Sequence, residues 1–291
     1  MQRLLDMAVS AVLLAGLYAT MAYGLGLIYG VLRLVNLAHA GVLMAGAYLG
    51  FVLHRQLGID PYLSIPLVLA ASFCFGVLLY RGLVRHLPRG AVGGPQSLLL
   101  LFGVWLVLRN AGYLLFTGND RVIRTSYSTR SLAVLGGFVA VNRVAVFAVA
   151  LLVPLVLHLV LTRTYAGKAI RAVAQNAASC TLVGIDVERV YALAFGLGTA
   201  LAGLAGLLSA TLFSFNPAFG AGELLKSFVV VVLGGLGSVV GTGLAALLLA
   251  TVEVFAILVL PAYLTSAVGF VMLVLVLVLR PAGLFGQRVL G

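Results

Sequence analysis

The chain has 291 residues, of which 63% are hydrophobic and 9% charged, with a formal net charge of +11. A water-facing domain carries about 25% charged residues, so this composition excludes an ordinary soluble surface, and a mean hydropathy of +1.20 points to lipid as the solvent. The 18 Lys and Arg residues are scattered, mostly at the ends of apolar stretches, which marks membrane boundaries and argues against a nucleic-acid surface.

A membrane helix needs about 20 apolar residues. Residues 7–28 supply the first. The stretch is longer than the roughly 7–15 residues of a leader's apolar region, and its flanks are weak, so it reads as a retained span. Residues 34–41, Leu34-Val35-Asn36-Leu37-Ala38-His39-Ala40-Gly41, then interrupt the pattern. Asn36 and His39 are expensive in hydrocarbon unless they meet a partner or water. The interruption is either a substrate-binding discontinuity of the kind transporters use or a structural break whose polar side chains cap helix ends.

Residues 40–53 are apolar but short and read as a half-helix or broken helix. Residues 62–80 and 97–116 are full-length candidates, and the second holds Arg109 and Asn110. Residues 144–161, 190–212, 239–260 and 263–279 complete the long stretches, while residues 224–233 are short again. These stretches are apolar on every side, which excludes the alternating strands of an outer-membrane barrel. The expected fold is all-α: a polytopic bundle of about eight transmembrane helices, within a range of roughly seven to ten, with broken or re-entrant segments. It forms a single transmembrane domain over residues 1–291.

Loop charges orient it. The connection 81–95 carries Arg81, Arg85 and Arg89 with no acid, and the connection 162–189 carries Arg163, Lys168, Arg171 and Arg189 against Asp186 and Glu188. The intervening loop 118–143 carries Arg121, Arg124, Arg130 and Arg143. The positive-inside rule places the first two connections in the cytoplasm. Arg280 and Arg288 place the C-terminus there too if the short pass near Leu224 is counted, while Arg3 against Asp6 leaves the N-terminus undecided.

Glycine is abundant, with 35 residues. Gly196, Gly198, Gly203 and Gly206 fall in one span, and Gly241 and Gly243 in another, where small residues let helix backbones approach closely. Cys74 lies in an apolar stretch and Cys180 in a polar loop. They have no metal-ligand spacing and no disulfide framework.

Chemistry-bearing motifs are few. No phosphate-binding loop is present: Gly167-Lys168 lacks the upstream glycine and the following Ser or Thr. So this chain is not expected to hydrolyse ATP alone. No nucleophile elbow, zinc motif or carboxylate pair appears, and 7 acids leave little acid–base chemistry. An enzyme is the least favoured reading.

Loop 163–189 carries a short amphipathic helix. Ile170, Val173, Ala174 and Ala177 recur on one face, while Lys168, Arg171, Gln175 and Asn176 lie mostly away from it. It is either a surface helix at the bilayer edge or a docking helix for a soluble partner. A second glycine break, Val232-Leu233-Gly234-Gly235-Leu236-Gly237-Ser238, follows Glu223 and Lys226. Glycine-interrupted segments in corresponding positions of two halves point to a binding site. Glu253, like Arg109, lies at a depth where a charge faces the bundle interior. It touches the aqueous path, locks one of its states, or makes an internal ion pair.

Four segments together resemble one family, the LivH-type permease subunits of branched-chain amino-acid ABC importers. Asn36-Leu37-Ala38-His39-Ala40 is similar to the family's N-F-A-H-G signature, with Leu37 and Ala40 departing from it. The stretch from Gly167 through Arg171-Ala172-Val173-Ala174-Gln175-Asn176 to Gly184-Ile185 resembles its cytoplasmic loop. Residues 232–237 resemble its V-L-G-G-x-G, and Arg280-Pro281-Ala282-Gly283-Leu284-Phe285-Gly286 its terminal R-P-x-G-L-[FL]-G.

The resemblance implies a subunit of the bacterial cytoplasmic (inner) membrane. A second permease subunit, identical or related, would complete the path. Two ATPase subunits would dock beneath, and a substrate-binding protein would deliver the solute. No cofactor belongs to this chain, since ATP is used by the partner ATPases. Gly167, Lys168, Arg171, Ala172, Gln175, Asn176, Gly184 and Ile185 are then the coupling residues. Asn36, His39, Arg109, Asn110, Gly234, Gly235 and Glu253 are the expected path residues. Related permeases serve urea, amides or other amino acids. An ion-coupled secondary transporter or channel, and a purely structural subunit, are the remaining alternatives.

Overall fold

The structure, a computed structural model, describes residues 2–88, 93–128, 130–134, 137–235, 238–280 and 283–284. It is helical almost throughout. The helices are α1 (Gln2–Leu32), α2 (His39–Leu57), α3 (Ile65–Gly82), α4 (Gly93–Phe116), α5 (Val141–Arg163), α6 (Tyr165–Gln175), α7 (Ala177–Leu182), α8 (Val187–Leu212), α9 (Phe219–Gly234), α10 (Val239–Ala256) and α11 (Ala262–Leu279). Before α5 lies an antiparallel hairpin of β1 (Ser131–Val134) and β2 (Gly137–Ala140), with Ser131 opposite Ala140.

Among the described residues, six helices are long and apolar enough to cross a membrane: α1, α3, α4, α5, α8 and α10. The expectation of about eight passes is approximately met, because α2, α9 and α11 also run through the bundle. Helices dominate because hydrocarbon offers backbone groups no partner, and a helix satisfies its own.

The bundle has two ends. At one, the C-terminus of α1 meets α6, α7 and the start of α8: Val31, Ala169, Ile170, Cys180 and Val187 pack in one buried cluster. Arg33, Arg81, Arg85, Arg163, Lys168, Arg171 and Arg189 sit in these connections, against Asp186 and Glu188. At the other end, Asp6 and Ser10 of α1, Arg143, Phe213 and Ile257 line a common cavity. The helices thus alternate in direction, and Leu284 bonds back to Leu233 at the first, basic end.

The boundaries differ from expectation at several points. Residues 40–53 do not form a half-helix: α2 has 19 residues, about 28 Å at 1.5 Å per residue. It is nevertheless a re-entrant start. His39 Nε2 lies 3.1 Å from the carbonyl of Met21, which is 11 residues, or about 16 Å, back from the end of α1 at Leu32. Residues 33–38 therefore climb back into the bundle before α2 begins. The stretch 224–233 lengthens to α9, Phe219–Gly234. Tyr62 belongs to the turn before α3, and residues 257–260 form a turn after α10. The hairpin is absent from the sequence reading, because it is only four residues per strand.

The core is built on α1 and α8. Gly24 of α1 and Gly198 of α8 sit so close that a Cβ on either would strike the other's carbonyl oxygen, and Gly206 faces the backbone of Leu43 in the same way. Lipid supplies no hydrophobic drive between helices, so close backbone packing by small residues is what holds such a bundle together.

Candidate functional site

The first break works as a pair with one the sequence did not advertise. Residues 213–218 enter the bundle from the hairpin end. The backbones of Phe215 and Arg121 exchange two hydrogen bonds, and Asn216 Nδ2 donates to Asp120 Oδ1 at 2.8 Å. Asn216 Oδ1 also accepts from the Ala218 amide at 2.9 Å, which turns the chain into α9. Asn216-Pro217 is a turn-forming dipeptide, and it was the available signal. A Cβ at Gly220, the second residue of α9, would overlap the carbonyl of Ala40, the second residue of α2. The first turns of α2 and α9 are therefore in backbone contact within the bundle.

Neither start has a side-chain cap: Ala38 and Ala218 occupy the cap positions. Beside them Asn36 is 1% exposed and His39 fully buried. His39 Nε2 faces a carbonyl, which only accepts, so Nε2 carries the proton and Nδ1 is the acceptor. His39 Nδ1 and Asn36 Oδ1 are both buried without a partner among the described residues. Two positive helix ends next to two unsatisfied acceptors can hold a group bearing both signs of charge.

Gly234 and Gly235 lie elsewhere. They form the C-terminal end of α9 at the basic end, beside the first turn of α10, whose N-cap is Ser238. Gly234 packs on the backbone of Gly241 and Thr242, and Gly235 takes φ +84°. Leu236 and Gly237 lie outside the described residues, as do Arg89, Arg288 and, of the terminal motif, Pro281, Ala282, Phe285 and Gly286. Gly283 takes φ +80° beside the carbonyl of Val232.

Among the described residues Glu253 has no ion-pair partner. It is 8% exposed and accepts from Tyr18 Oη at 2.5 Å. Lys226 Nζ lies 5.1 Å over the Tyr18 ring and 3.7 Å from Glu223 Oε1. The cluster ties α1, α9 and α10 together, and neither Tyr18 nor Glu223 was selected from the sequence. Arg109 is remote from it. Its guanidinium lies over Trp105 and Tyr113, at 5.9 and 5.7 Å, and Asn110 Nδ2 donates to Leu106 within α4. The structure does not bring Arg109 or Asn110 to Asn36 and His39.

The amphipathic helix is present as α6. Gly167, Ala169, Ile170 and Val173 are buried, whereas Lys168, Arg171 and Gln175 are exposed. Thr164 Oγ1 accepts from the Gly167 amide at 3.0 Å, capping its start. Ala174 and Ala177 both pack on the buried cluster, but the helix itself ends sooner than expected. Asn176 leaves helical geometry and caps α7 through Ser179 at 3.0 Å, so Ala177 belongs to a second helix. Cys180 lies in that helix and is buried, where the sequence suggested a polar loop. Gly167 packs against the backbone of Val160 and Leu161, so it seats α6 on α5 and is not part of the outer face. Ala172 is half-buried, Ile185 packs inward, and Gly184 is exposed with φ +80°.

The profile of the family described as branched-chain amino acid transport system, permease component, matches residues 7–277. The chain belongs to that family. Among its relatives is the high-affinity branched-chain amino acid transport system permease protein BraD of Pseudomonas aeruginosa, 30% identical over 97% of this chain and 96% of that one. The LivH permease protein of the corresponding Escherichia coli K12 system is 29% identical over 96% of this chain and 94% of its own. The E. coli LivM permease protein is 29% identical over 80% of this chain and 60% of its own. No solved structure matches. The family and the apolar helices together make this a multi-pass membrane protein and a transport permease component.

Proposed function

We propose that this chain is one of two membrane subunits of an ATP-driven importer for branched-chain amino acids in the bacterial inner membrane. A second permease chain, two ATPase subunits and an external substrate-binding protein complete the machine. The observation that carries the reading is α6: a helix held to the bundle by a buried apolar face, with Lys168, Arg171 and Gln175 directed outward. A partner that grips this face can move α1, α5 and α8, on which α6 rests.

The basic end is the cytoplasmic one in this reading, because Lys and Arg concentrate there. The solute path runs past the joined first turns of α2 and α9. An amino acid brings a carboxylate, which two helix N-termini stabilise, and an ammonium group, which the acceptors Asn36 Oδ1 and His39 Nδ1 suit. Leu25, Leu43, Leu204 and Leu224, in the buried cluster of these helices, suit leucine, isoleucine and valine side chains. ATP binding to the partners shifts the balance between inward- and outward-open states, and it can do so only through contacts that differ between them. This chain supplies no catalytic group and needs no cofactor of its own.

Uptake by proteoliposomes holding the full assembly tests the reading. Labelled leucine is expected to accumulate only with internal ATP, and excess valine or isoleucine is expected to compete while urea and short amides do not. The largely buried acids Glu223 and Glu253, with His39, would suit an ion-coupled transporter. Accumulation by the lone chain under a proton or sodium gradient would establish that alternative.

A further inference from the structure

The basic end holds a cavity of about 300 Å³ between the end of α1, the turn after α3, the start of α4 and α8. Arg33 and Arg85 line it on two sides. Arg33 is the first residue past α1 and takes φ +57°, a conformation that costs a non-glycine residue free energy and is retained where the surroundings demand it. Arg85 stands on the short turn Val84–His86. Both are exposed, and among the described residues neither has a carboxylate within ion-pair distance. The nearby acids are engaged: Asp186 holds Arg189 at 2.7 Å, and Glu188 accepts from Tyr80 Oη at 2.9 Å. Arg85 and Tyr80 also line the adjoining cavity that contains these acids.

The remaining walls are of two kinds. Gly94 and Ser97 belong to the first turn and a half of α4, a 24-residue helix whose positive end faces this side. Leu32, Leu34, Val84 and Leu87 make the rest apolar. A soluble anion has no use for an aliphatic wall, and an acyl chain has none for two guanidiniums. A molecule with a phosphodiester head and hydrocarbon tails uses both, and it is found at this height, where helices leave the bilayer. Guanidinium forks match phosphate oxygens in pairs of hydrogen bonds.

We infer that this cavity binds the headgroup of an anionic phospholipid, with Arg33 and Arg85 on its phosphate. The inference requires only that the chain spans a membrane, so it stands or falls separately from the importer reading.

The test is native mass spectrometry of the purified full chain released from detergent, titrated with phosphatidylglycerol or phosphatidylcholine. The wild type is expected to retain phosphatidylglycerol at least tenfold more tightly, with millimolar inorganic phosphate or ATP unable to displace it. Arg33→Gln with Arg85→Gln is expected to abolish the preference, Arg33→Lys with Arg85→Lys to keep part of it, and Arg124→Gln with Arg143→Gln, at the other end, to leave it unchanged. Equal retention of both lipids by the wild type overturns the inference and needs no variant to fold. Displacement by phosphate or ATP assigns the cavity to a soluble phosphate compound and overturns it too. So does a glutamine pair that keeps its lipid preference, including one that instead loses co-purification with an ATPase, since the arginines would then serve protein docking.

Discussion

Tyr18 and Glu253 are 235 positions apart in the chain, and the Tyr18 hydroxyl donates to Glu253 Oε2 at 2.5 Å inside the bundle. The bond joins α1 to α10, and Lys226 over the Tyr18 ring brings in α9. Removing one partner leaves a buried group unsatisfied, which costs more than the bond itself contributes. Tyr18→Phe is expected to destabilise the chain by about 1.5–3 kcal/mol in detergent unfolding. Glu253→Gln keeps an acceptor and is expected to cost less. The double variant Tyr18→Phe, Glu253→Leu is expected to cost less than the sum of its single changes, and additivity would show that the two do not interact.

The contact between the first turns of α2 and α9 gives a second expectation. Gly220→Ala forces these turns apart, because its Cβ meets the Ala40 carbonyl. Leucine uptake by the assembly is expected to fall at least tenfold, with a raised KM. Gly222, on the same helix, has open space where a Cβ would stand, with nothing within 4 Å, so Gly222→Ala is the control and is expected to transport normally. Equal rates for both variants would remove the α2–α9 junction from the path.

Charge on α6 is expected to matter for coupling. Arg171→Glu changes an exposed residue, so folding and expression are expected to hold. ATP hydrolysis by the assembly is expected to continue while solute uptake per ATP falls severalfold. Gly184→Trp is expected to act differently. There is open space around its Cβ, but φ of +80° opposes any side chain, so its effect comes from backbone strain of about 1–2 kcal/mol. Unchanged uptake per ATP in the Arg171 variant would take α6 out of the energy path.

Asn176 divides α6 from α7 and caps the latter. Asn176→Ala is expected to cost about 0.5–2 kcal/mol, as loss of an N-cap does. Amide exchange is expected to quicken in residues 177–182 and not in α8. Exchange in residues 177–182 that matches the wild type would show that the cap does not hold α7.

What could be read in the sequence follows from what lipid enforces locally. Long apolar runs gave α1, α3, α4, α5, α8 and α10, because a helix that crosses hydrocarbon must be apolar along its length whichever neighbours it meets. Asn36 and His39 marked the first break correctly, since polar groups at that depth demand a reason. Illegible were the partners. Nothing near Glu253 in the chain names Tyr18, and nothing near Gly220 names Ala40, because each contact depends on how two distant helices cross. The apolar face was legible through Ala177, which packs on the same cluster as Ala174, whereas the helix break was not, because Asn176 prefers capping to helix continuation. Gly234 and Gly235 close the C-terminal end of α9, while the break that pairs with the first precedes α9, where Asn216-Pro217 was the weaker signal.

In the proposed importer, energy enters through the outward face of α6. The most direct measurement is photo-crosslinking from that face in membranes of cells carrying the intact operon, with a photoreactive residue replacing Lys168 or Gln175. Adducts to a nucleotide-hydrolysing subunit are expected, with a yield that changes when ATP is trapped. Adducts to lipid alone, at both positions and with every nucleotide, would contradict it.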